Sequence, residues 1–171
     1  MNTAIWWIRR DLRLSDNQAL AAAMLQASVV IPVFILDSRL LASPNIGQGR
    51  LAFLLEGLRA LGASLNSLGS ALFIRQGDPL AVLYTLCEET GAEGIFAEAD
   101  ISPYAIRRDE RVKYVLPLHL FSGITVQPPE ILLKADGSPY TVFTPFSRMW
   151  CSLPFPGSPF LQHLRRCAAR A

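Results

Sequence analysis

Short apolar runs divide the chain at fairly regular intervals. The first two, Ala4 to Ile8 and Ser28 to Leu36, are nearly continuous rather than alternating. Continuous runs are typical of strands covered on both faces, as in a parallel sheet. Three further runs of this type occupy residues 71–75, 94–98 and 116–121. The pattern therefore predicts five buried strands.

Helical signals fill the gaps between these runs. Ser15 with Gln18 predicts a capping box before an alanine-rich helix. Leucines recurring at three- and four-residue steps predict a longer helix that begins near Gly49. Asp78 before a proline predicts the N-cap of a third helix. The polar segment from Tyr104 to Tyr114 predicts one exposed helix.

Alternation of strands and helices defines the expected fold class. It predicts an α/β domain with an open parallel five-stranded sheet of order 3-2-1-4-5 in three layers, with helices on both faces. We expect residues 1–125 to form this domain. The proline- and glycine-bearing residues 126–171 are expected to form an irregular carboxy-terminal segment. A chain of 171 residues can bury roughly 70% of its unfolded surface, so a real core is expected.

Composition narrows the function classes only slightly. The formal net charge of +2 is too small to indicate nucleic-acid binding. No apolar run approaches the roughly 18 residues of a membrane span, which predicts a cytoplasmic protein. The thiols and imidazoles are spread along the chain without metal-ligand spacing: Cys87, Cys151, Cys167, His119 and His163.

The predicted sheet order places a candidate site between strands 1 and 4. In open α/β sheets, ligands bind outside the carboxyl ends of the strands where the order reverses. The walls would be the turn after Ile8, "RRDLRLSD", and residues 97–104. Because that turn has no glycine, it lacks the G-x-G-x-x-G loop that lets backbone approach a pyrophosphate.

The arginines of this turn have two interpretations. Arg9, Arg10 and Arg13 can brace the sheet edge by pairing with nearby aspartates, or they can offer planar donors to a carboxylate, a phosphate or a heteroaromatic ring. At the exit of the fourth strand, Glu98 and Asp100 can cap a helix or bind a ligand. No serine or histidine stands in a hydrolytic signature, which favours binding over self-contained catalysis.

Trp6 and Trp7 are successive strand residues whose side chains point to opposite faces of the sheet. We expect both to be core residues rather than stacking platforms for a ligand.

Five motifs occur in a characteristic order between about residue 4 and residue 150. They read "WWIRRDLRLSDNQAL", "FILDSRLL", "LFIRQGDP", "DISPYAIRRDERV" and "PYTVFTPFSRMW". This ordered set resembles the amino-terminal part of the DNA photolyase and cryptochrome family. The resemblance implies a Rossmann-like domain that holds an antenna chromophore and passes its excitation to FAD in a separate helical domain.

The resemblance also implies the partners of the domain. The helical FAD-binding photolyase domain would act with it in cis or in trans. That domain would carry the light-driven repair of pyrimidine dimers and the contact with DNA. The chain alone is then expected to lack repair chemistry.

The antenna pocket carried over from the resemblance lies in the crevice that the topology predicts. Its residues would be Arg9, Arg10, Phe34, Leu36, Asp37, Arg50, Phe53, Glu98, Asp100, Ile101, Tyr104, Arg108 and Arg111. The expected ligand is a flavin or a deazaflavin, and an empty pocket is the alternative. Ala105 and Ile106 stand where a glycine and an arginine are usual in such members. Tyr104 and Ala105 cannot supply the Asn-Glu pair of folate-binding members, so folate is the least expected ligand. Asp11 and Arg13 are expected to brace the turn.

Two other functions remain open from the sequence. One is a nucleotide-binding regulatory domain of similar sheet order. The other is a protein-interaction module that uses the aromatic segment from Tyr140 to Phe160. Because no strand or helix period hides this segment, we expect an exposed apolar surface and a homodimer through Phe146, Met149 and Trp150.

Overall fold

The computed structural model describes residues 1–43, 47–123 and 125–154. Its parallel strands form one sheet of order β3-β2-β1-β4-β5, which confirms the predicted topology. The strand bounds agree with the predicted apolar runs to within two residues. The strands are β1 Thr3–Ile8, β2 Val29–Asp37, β3 Phe73–Gly77, β4 Gly94–Glu98 and β5 Leu118–Phe121.

Helices connect the strands and cover the sheet on both faces. In chain order they are α1 Gln18–Gln26, α2 Ser38–Leu41, α3 Gln48–Ser67, α4 Pro79–Thr90, α5 Pro103–Val115 and α6 Phe143–Ser152. A short 3-10 turn lies at Pro129–Ile131. In this described part of the chain, no helix is both long and apolar enough to cross a membrane.

The two tryptophans of β1 lie on opposite sides of the sheet, as predicted. Trp6 is 1% exposed and packs in the core with Leu20 of α1 and Leu61 of α3. Trp7 is 2% exposed and packs in the second core with Leu83 of α4 and other residues of that face. Each face of the central strand therefore has its own helical layer, α1 and α3 on one side and α4 and α5 on the other.

The predicted capping box at Ser15 is wrong. The N-cap of α1 is Asn17, whose side-chain oxygen accepts from the Leu20 N–H at 2.8 Å. Ser15 is exposed, and the backbone becomes helical only at Gln18. An N-cap side chain accepts from an amide two or three residues later in the chain. Asn17 stands three residues before Leu20, whereas Ser15 stands five residues before it.

Two elements differ in burial from the predicted pattern. β3 is not covered on both faces, because it is an edge strand paired only with β2 and its first four residues are exposed. α5 is not an exposed helix. It buries Ala105, Asp109 and Val112 at four- and three-residue steps, together with Arg108.

The described part of the carboxy-terminal segment is less irregular than predicted. α6 forms there because Phe143, Phe146 and Trp150 recur at helical spacing. No residue of α6 is buried. The Gln127 side chain donates to the Pro154 carbonyl at 3.0 Å, which ties the end of this segment to its beginning. The predictions for residues 155–171, including Phe155, Phe160, His163 and Cys167, lie outside the described residues.

Candidate functional site

The carboxyl ends of β1, β2 and β4 meet at one edge of the sheet. β1 pairs with β2 on one side and with β4 on the other. The strand order therefore reverses at β1, between the turn after Ile8 and the exit of β4. This is the crevice that the sequence predicts.

On the α5 side of the crevice, buried arginines share one carboxylate. Arg9 Nη1 donates to both carboxylate oxygens of Asp109, at 2.7 Å and 2.6 Å. Arg108 Nε donates to Asp109 Oδ1 at 3.0 Å. The side chains of Arg9, Arg108 and Asp109 are 6%, 9% and 5% exposed. This network joins the turn after β1 to α5. Arg9 therefore braces the sheet edge, as one of the two interpretations of the sequence allowed, and its partner is Asp109 of α5.

The indole of Trp7 lies beside both guanidinium groups. The Cζ atoms of Arg9 and Arg108 are each 4.8 Å from the centre of the Trp7 ring. Arg9 Nε and Nη2 are buried and have no hydrogen-bond acceptor among the described residues. The Trp7 ring is therefore the main group that interacts favourably with these two nitrogen atoms in place of a hydrogen-bond acceptor. Burial lowers the pKa of Arg9, although Asp109 opposes that shift.

A second link on this side connects β2 with α5. The Tyr104 hydroxyl donates to Asp37 Oδ2, and Asp37 is 5% exposed at the end of β2. Burial, together with this bond to a carboxylate, raises the pKa of Tyr104 to about 12. Asp109 is thus the ion-pair partner of both buried arginines, and Asp37 accepts from the Tyr104 hydroxyl.

Arg10 lies at the solvent-facing rim of the crevice. Its Nη1 is 3.3 Å from Asp100 Oδ1, and the Arg10 side chain is 60% exposed. Asp100 also accepts from the Ser102 N–H at 2.9 Å, just before α5 begins. An exposed pair of this kind contributes at most about 1 kcal/mol. Arg10 can therefore leave Asp100 for a ligand at little energetic cost.

On the α1 side, Glu98 lies at the amino terminus of a helix. Glu98 Oε1 accepts from the Ala19 N–H at 3.1 Å, in the first turn of α1. Glu98 is 4% exposed, and its Oε2 has no hydrogen-bond donor among the described residues. Burial raises the pKa of Glu98, and the nearby carboxyl group of Asp11 adds to the shift.

The other side of Glu98 is closed by the chain after β5. A Cβ atom at Gly123 would overlap Glu98 Oε2, so the close approach requires a glycine. Arg13 Nη2 donates to the Gly123 carbonyl at 2.7 Å, and Arg13 Nε lies 3.4 Å from Asp11 Oδ2. Asp11 and Arg13 thus have the bracing contacts predicted for them.

The remaining predicted site residues are more dispersed. Phe34 and Leu36 point to the α1 and α3 face, where they belong to the core cluster or pack against it. Arg111 turns away to Asp78 at the start of α4, at 3.6 Å. Arg50 and Phe53 are exposed on the first turns of α3, and Ile101 is exposed on the other wall. The contacts described above bring together Arg9, Arg10, Asp37, Asp100, Tyr104 and Arg108.

Ala105 and Ile106 differ in exposure. Ala105 is 1% exposed on the buried face of α5, while Ile106 is 46% exposed on the same helix. The methyl group of Ala105 is therefore used in packing α5 onto the sheet.

Three residues of this edge were missed from the sequence. Asp109 lies on the buried face of α5 with Ala105 and Val112, and their spacing could have revealed it. Asn17 is a preferred N-cap residue next to the predicted helix start. Gly123 carries no local signal, because its role depends on a contact with Glu98 from a distant strand.

The arrangement is suited to binding rather than to bond chemistry. In the part of the chain that the structure describes, no three His, Cys, Asp or Glu residues are grouped to hold a metal ion. The rim offers a guanidinium at Arg10 and an exposed apolar side chain at Ile101. Planar donors and apolar surface are the features that a heteroaromatic ligand uses.

Comparison with known proteins places this geometry in context. The family model described as DNA photolyase matches residues 4–161. A deoxyribodipyrimidine photo-lyase of Synechococcus sp. is 35% identical over 157 residues, which are 89% of this chain and 32% of that protein. Several curated photo-lyases match over a similar share, so the chain spans about a third of their length.

Solved structures agree with the sequence comparison. A bacterial class III photolyase from Agrobacterium tumefaciens matches with a TM-score of 0.89 and 32% identity, over 99% of this chain and 36% of that one. An archaeal photolyase from Sulfolobus tokodaii, described with two FAD molecules and a novel light-harvesting cofactor, matches with a TM-score of 0.78 and 26% identity. The match covers 92% of this chain and 36% of the archaeal chain.

Proposed function

The chain belongs to the DNA photolyase family, and from this premise we propose that it is an antenna-type domain. It corresponds to the amino-terminal Rossmann-like domain of that family. Its function is to bind a flavin or deazaflavin chromophore and to pass the harvested excitation to an FAD held by a separate helical domain. That excitation supports the light-driven repair of pyrimidine dimers.

The observation that carries the proposal is the set of side-chain contacts at the reversal of strand order, the edge where open α/β sheets bind ligands. Buried groups on the α5 side are paired with one another, whereas Arg10 at the rim has only an exposed partner. A planar ring at this edge would meet the Arg10 guanidinium and the exposed side chain of Ile101, which follows the Arg10 partner Asp100 in the chain. The archaeal relative with two FAD molecules supports a flavin in this class of protein.

A titration of the purified chain tests the chromophore directly. Riboflavin and a 5-deazaflavin are added, and binding is read from fluorescence polarisation. Arg10→Ala should weaken binding by roughly three- to tenfold, because one typical hydrogen bond contributes about 0.5–1.5 kcal/mol. Arg59→Ala is the matched control, because Arg59 is an exposed arginine paired with Glu56 on α3. Equal effects of the two variants would remove Arg10 from the site, and absence of binding would contradict the proposal.

The repair partner is part of the same proposal. The helical FAD domain, in cis or in trans, carries the repair step and the contact with DNA. This chain as the only protein, with FAD and light, should leave the dimers of an irradiated oligonucleotide intact. Light-dependent loss of those dimers would show that the repair chemistry resides in this chain.

The contact surface for that partner is the segment from residue 125 to residue 154. It contains an open groove of about 490 Å³ whose lining residues are mostly apolar: Thr125, Val126, Gln127, Pro129, Leu132, Leu133, Pro139, Tyr140, Phe146 and Trp150. Without the helical domain, a second copy is the expected occupant. Sedimentation should then show a concentration-dependent homodimer that Trp150→Ser weakens, whereas a strict monomer would contradict the homodimer.

The alternative of a nucleotide-binding regulatory domain has weaker support. The turn after β1 has no glycine, and the amino terminus of α1 is already occupied by Glu98. A pyrophosphate at that terminus, as in dinucleotide-binding folds, would have to displace a buried side chain.

A further inference from the structure

The first turn of α1 stands where dinucleotide-binding folds of this topology place a ligand pyrophosphate. In this chain the donors of that turn are already used. The Ala19 N–H donates to Glu98 Oε1 at 3.1 Å, and the Leu20 N–H donates to the Asn17 side chain at 2.8 Å. The first amides of a helix have no acceptor within the helix, so side chains, water or a ligand must supply one. Here side chains already supply it for Ala19 and Leu20.

The Glu98 carboxyl group also fills the space that a ligand would need. It is 4% exposed, Oε2 has no donor among the described residues, and Gly123 is in direct contact with that oxygen. Burying Glu98 Oε2 without a hydrogen-bond donor costs free energy. Its position is therefore set by the packing of the surrounding residues rather than by a hydrogen bond of its own. Asp11 lies close enough to disfavour a second negative charge at this point.

We propose that Glu98 is a specificity-determining residue that excludes phosphate-bearing groups from the α1 end of the crevice. Its carboxyl group takes the place at α1 that a ligand pyrophosphate would occupy. The part of the inference that concerns the chromophore rests on the proposed function. A flavin-type ligand would bind through its ring, and any phosphate on its side chain would have to lie away from α1.

The test uses ADP as a probe, because ADP carries a pyrophosphate but no flavin ring. Binding to wild type, Glu98→Ala and Glu98→Gln is measured by calorimetry at neutral pH. Wild type should show no binding up to millimolar ADP. Glu98→Ala should gain roughly tenfold or more in affinity, since it frees the Ala19 amide and removes a carboxylate. Glu98→Gln should gain less, because it removes the charge and keeps the shape.

Glu93→Ala is the matched control. Glu93 also accepts a backbone N–H, from Asn2 at 2.8 Å, but it is exposed at the amino end of the sheet. It should gain no affinity for ADP. The inference is overturned if wild type binds ADP as well as Glu98→Ala does. It is also overturned if neither Glu98 variant gains affinity for ADP. If Glu98→Ala does not fold, an unchanged ADP affinity of Glu98→Gln overturns it alone.

A measurement on the wild-type chain alone provides a second test. The amide signals of Ala19 and Leu20 should not shift in the NMR spectrum when inorganic pyrophosphate is added, because their acceptors are already in place. Shifts centred on these two amides would contradict the inference. Riboflavin added separately tests the proposed function. Failure of riboflavin to bind would leave the ADP result intact, so the two failures are distinguishable.

Discussion

The two sides of the carboxyl edge hold their buried carboxyl groups in different ways. On the α5 side, Asp109 lies between the guanidinium groups of Arg9 and Arg108. On the α1 side, Glu98 lies against backbone amides of a helix terminus and makes no ion pair within the described residues. The first arrangement fixes a helix to the sheet through side-chain charges. The second occupies the donors that a ligand would otherwise use.

This difference supports the proposal of a ligand with little charge at this edge. Asp109 is paired with buried arginines on one side, and Glu98 accepts from a helix-terminal amide on the other. What remains at the rim is Arg10 and apolar surface. A planar heteroaromatic ring matches that combination better than a nucleotide phosphate does.

The largest expected effect is on the α5 side. Asp109→Ala removes the carboxylate that serves both Arg9 and Arg108, and leaves two buried cations without it. Breaking a buried ion pair in this way costs about 3–5 kcal/mol. Urea denaturation should show a loss of this order in the free energy of unfolding. Glu110→Ala, at the neighbouring exposed position, is the control. Similar losses for the two variants would mean that the network does not stabilise the fold.

The next effect is on the α1 side. Gly123→Ala places a Cβ atom against Glu98 Oε2 and should cost about 1–3 kcal/mol of unfolding free energy. Adding Glu98→Ala should recover most of that loss, because the overlap disappears. Gly49→Ala is the control, since nothing lies within 4 Å of a Cβ at Gly49. Strict additivity of the Gly123 and Glu98 changes would show that these residues are not in contact.

A smaller effect concerns the pH dependence of stability. The pKa of Glu98 is raised above its ordinary value of 4.5, mainly by burial. The folded state therefore favours the protonated form more than the unfolded state does. This stabilisation is fully present below about pH 4.5 and is lost as the pH rises through the raised pKa.

The comparison of wild type with Glu98→Gln isolates this contribution from other titrating groups. The unfolding free energy of wild type, relative to the variant, should fall as the pH rises across that window. A difference that stays constant, or one that grows with pH, would contradict the raised pKa.

The smallest effect on stability is expected at the rim. Arg10→Ala removes only an exposed ion pair with Asp100, so the unfolding free energy should change by less than about 0.5 kcal/mol. Thermal unfolding provides the measurement. A loss as large as that of Asp109→Ala would place Arg10 in the structural network instead of at the ligand rim.

The sequence predicted the sheet well because its signals are local. Continuous apolar runs and a leucine stripe follow directly from burial and from helical or strand period. The same reasoning predicted Trp6 and Trp7 as core residues on opposite faces. It failed for β3, because edge position is a property of the whole sheet, and for Ser15, because a better N-cap stood two residues later.

The site was only partly predictable for a related reason. The positions of the crevice and of Arg10 follow from strand order. The partners of Arg9 and Glu98 do not, because Asp109 and Ala19 come from elements 100 and 79 residues away. A charge pattern along the chain does not contain such pairings. They depend on which helix faces the strand end, and that emerges only from the packed fold.

The central claim is that the crevice at the carboxyl ends of β1 and β4 binds a flavin-type chromophore. The most direct measurement is an NMR titration of the chain with riboflavin, with the amide signals assigned. We predict that the shifts centre on Arg10, Asp37 and residues 100–104, and saturate with a single binding constant. Shifts confined to residues 125–154, or no shifts at saturating riboflavin, would contradict the claim.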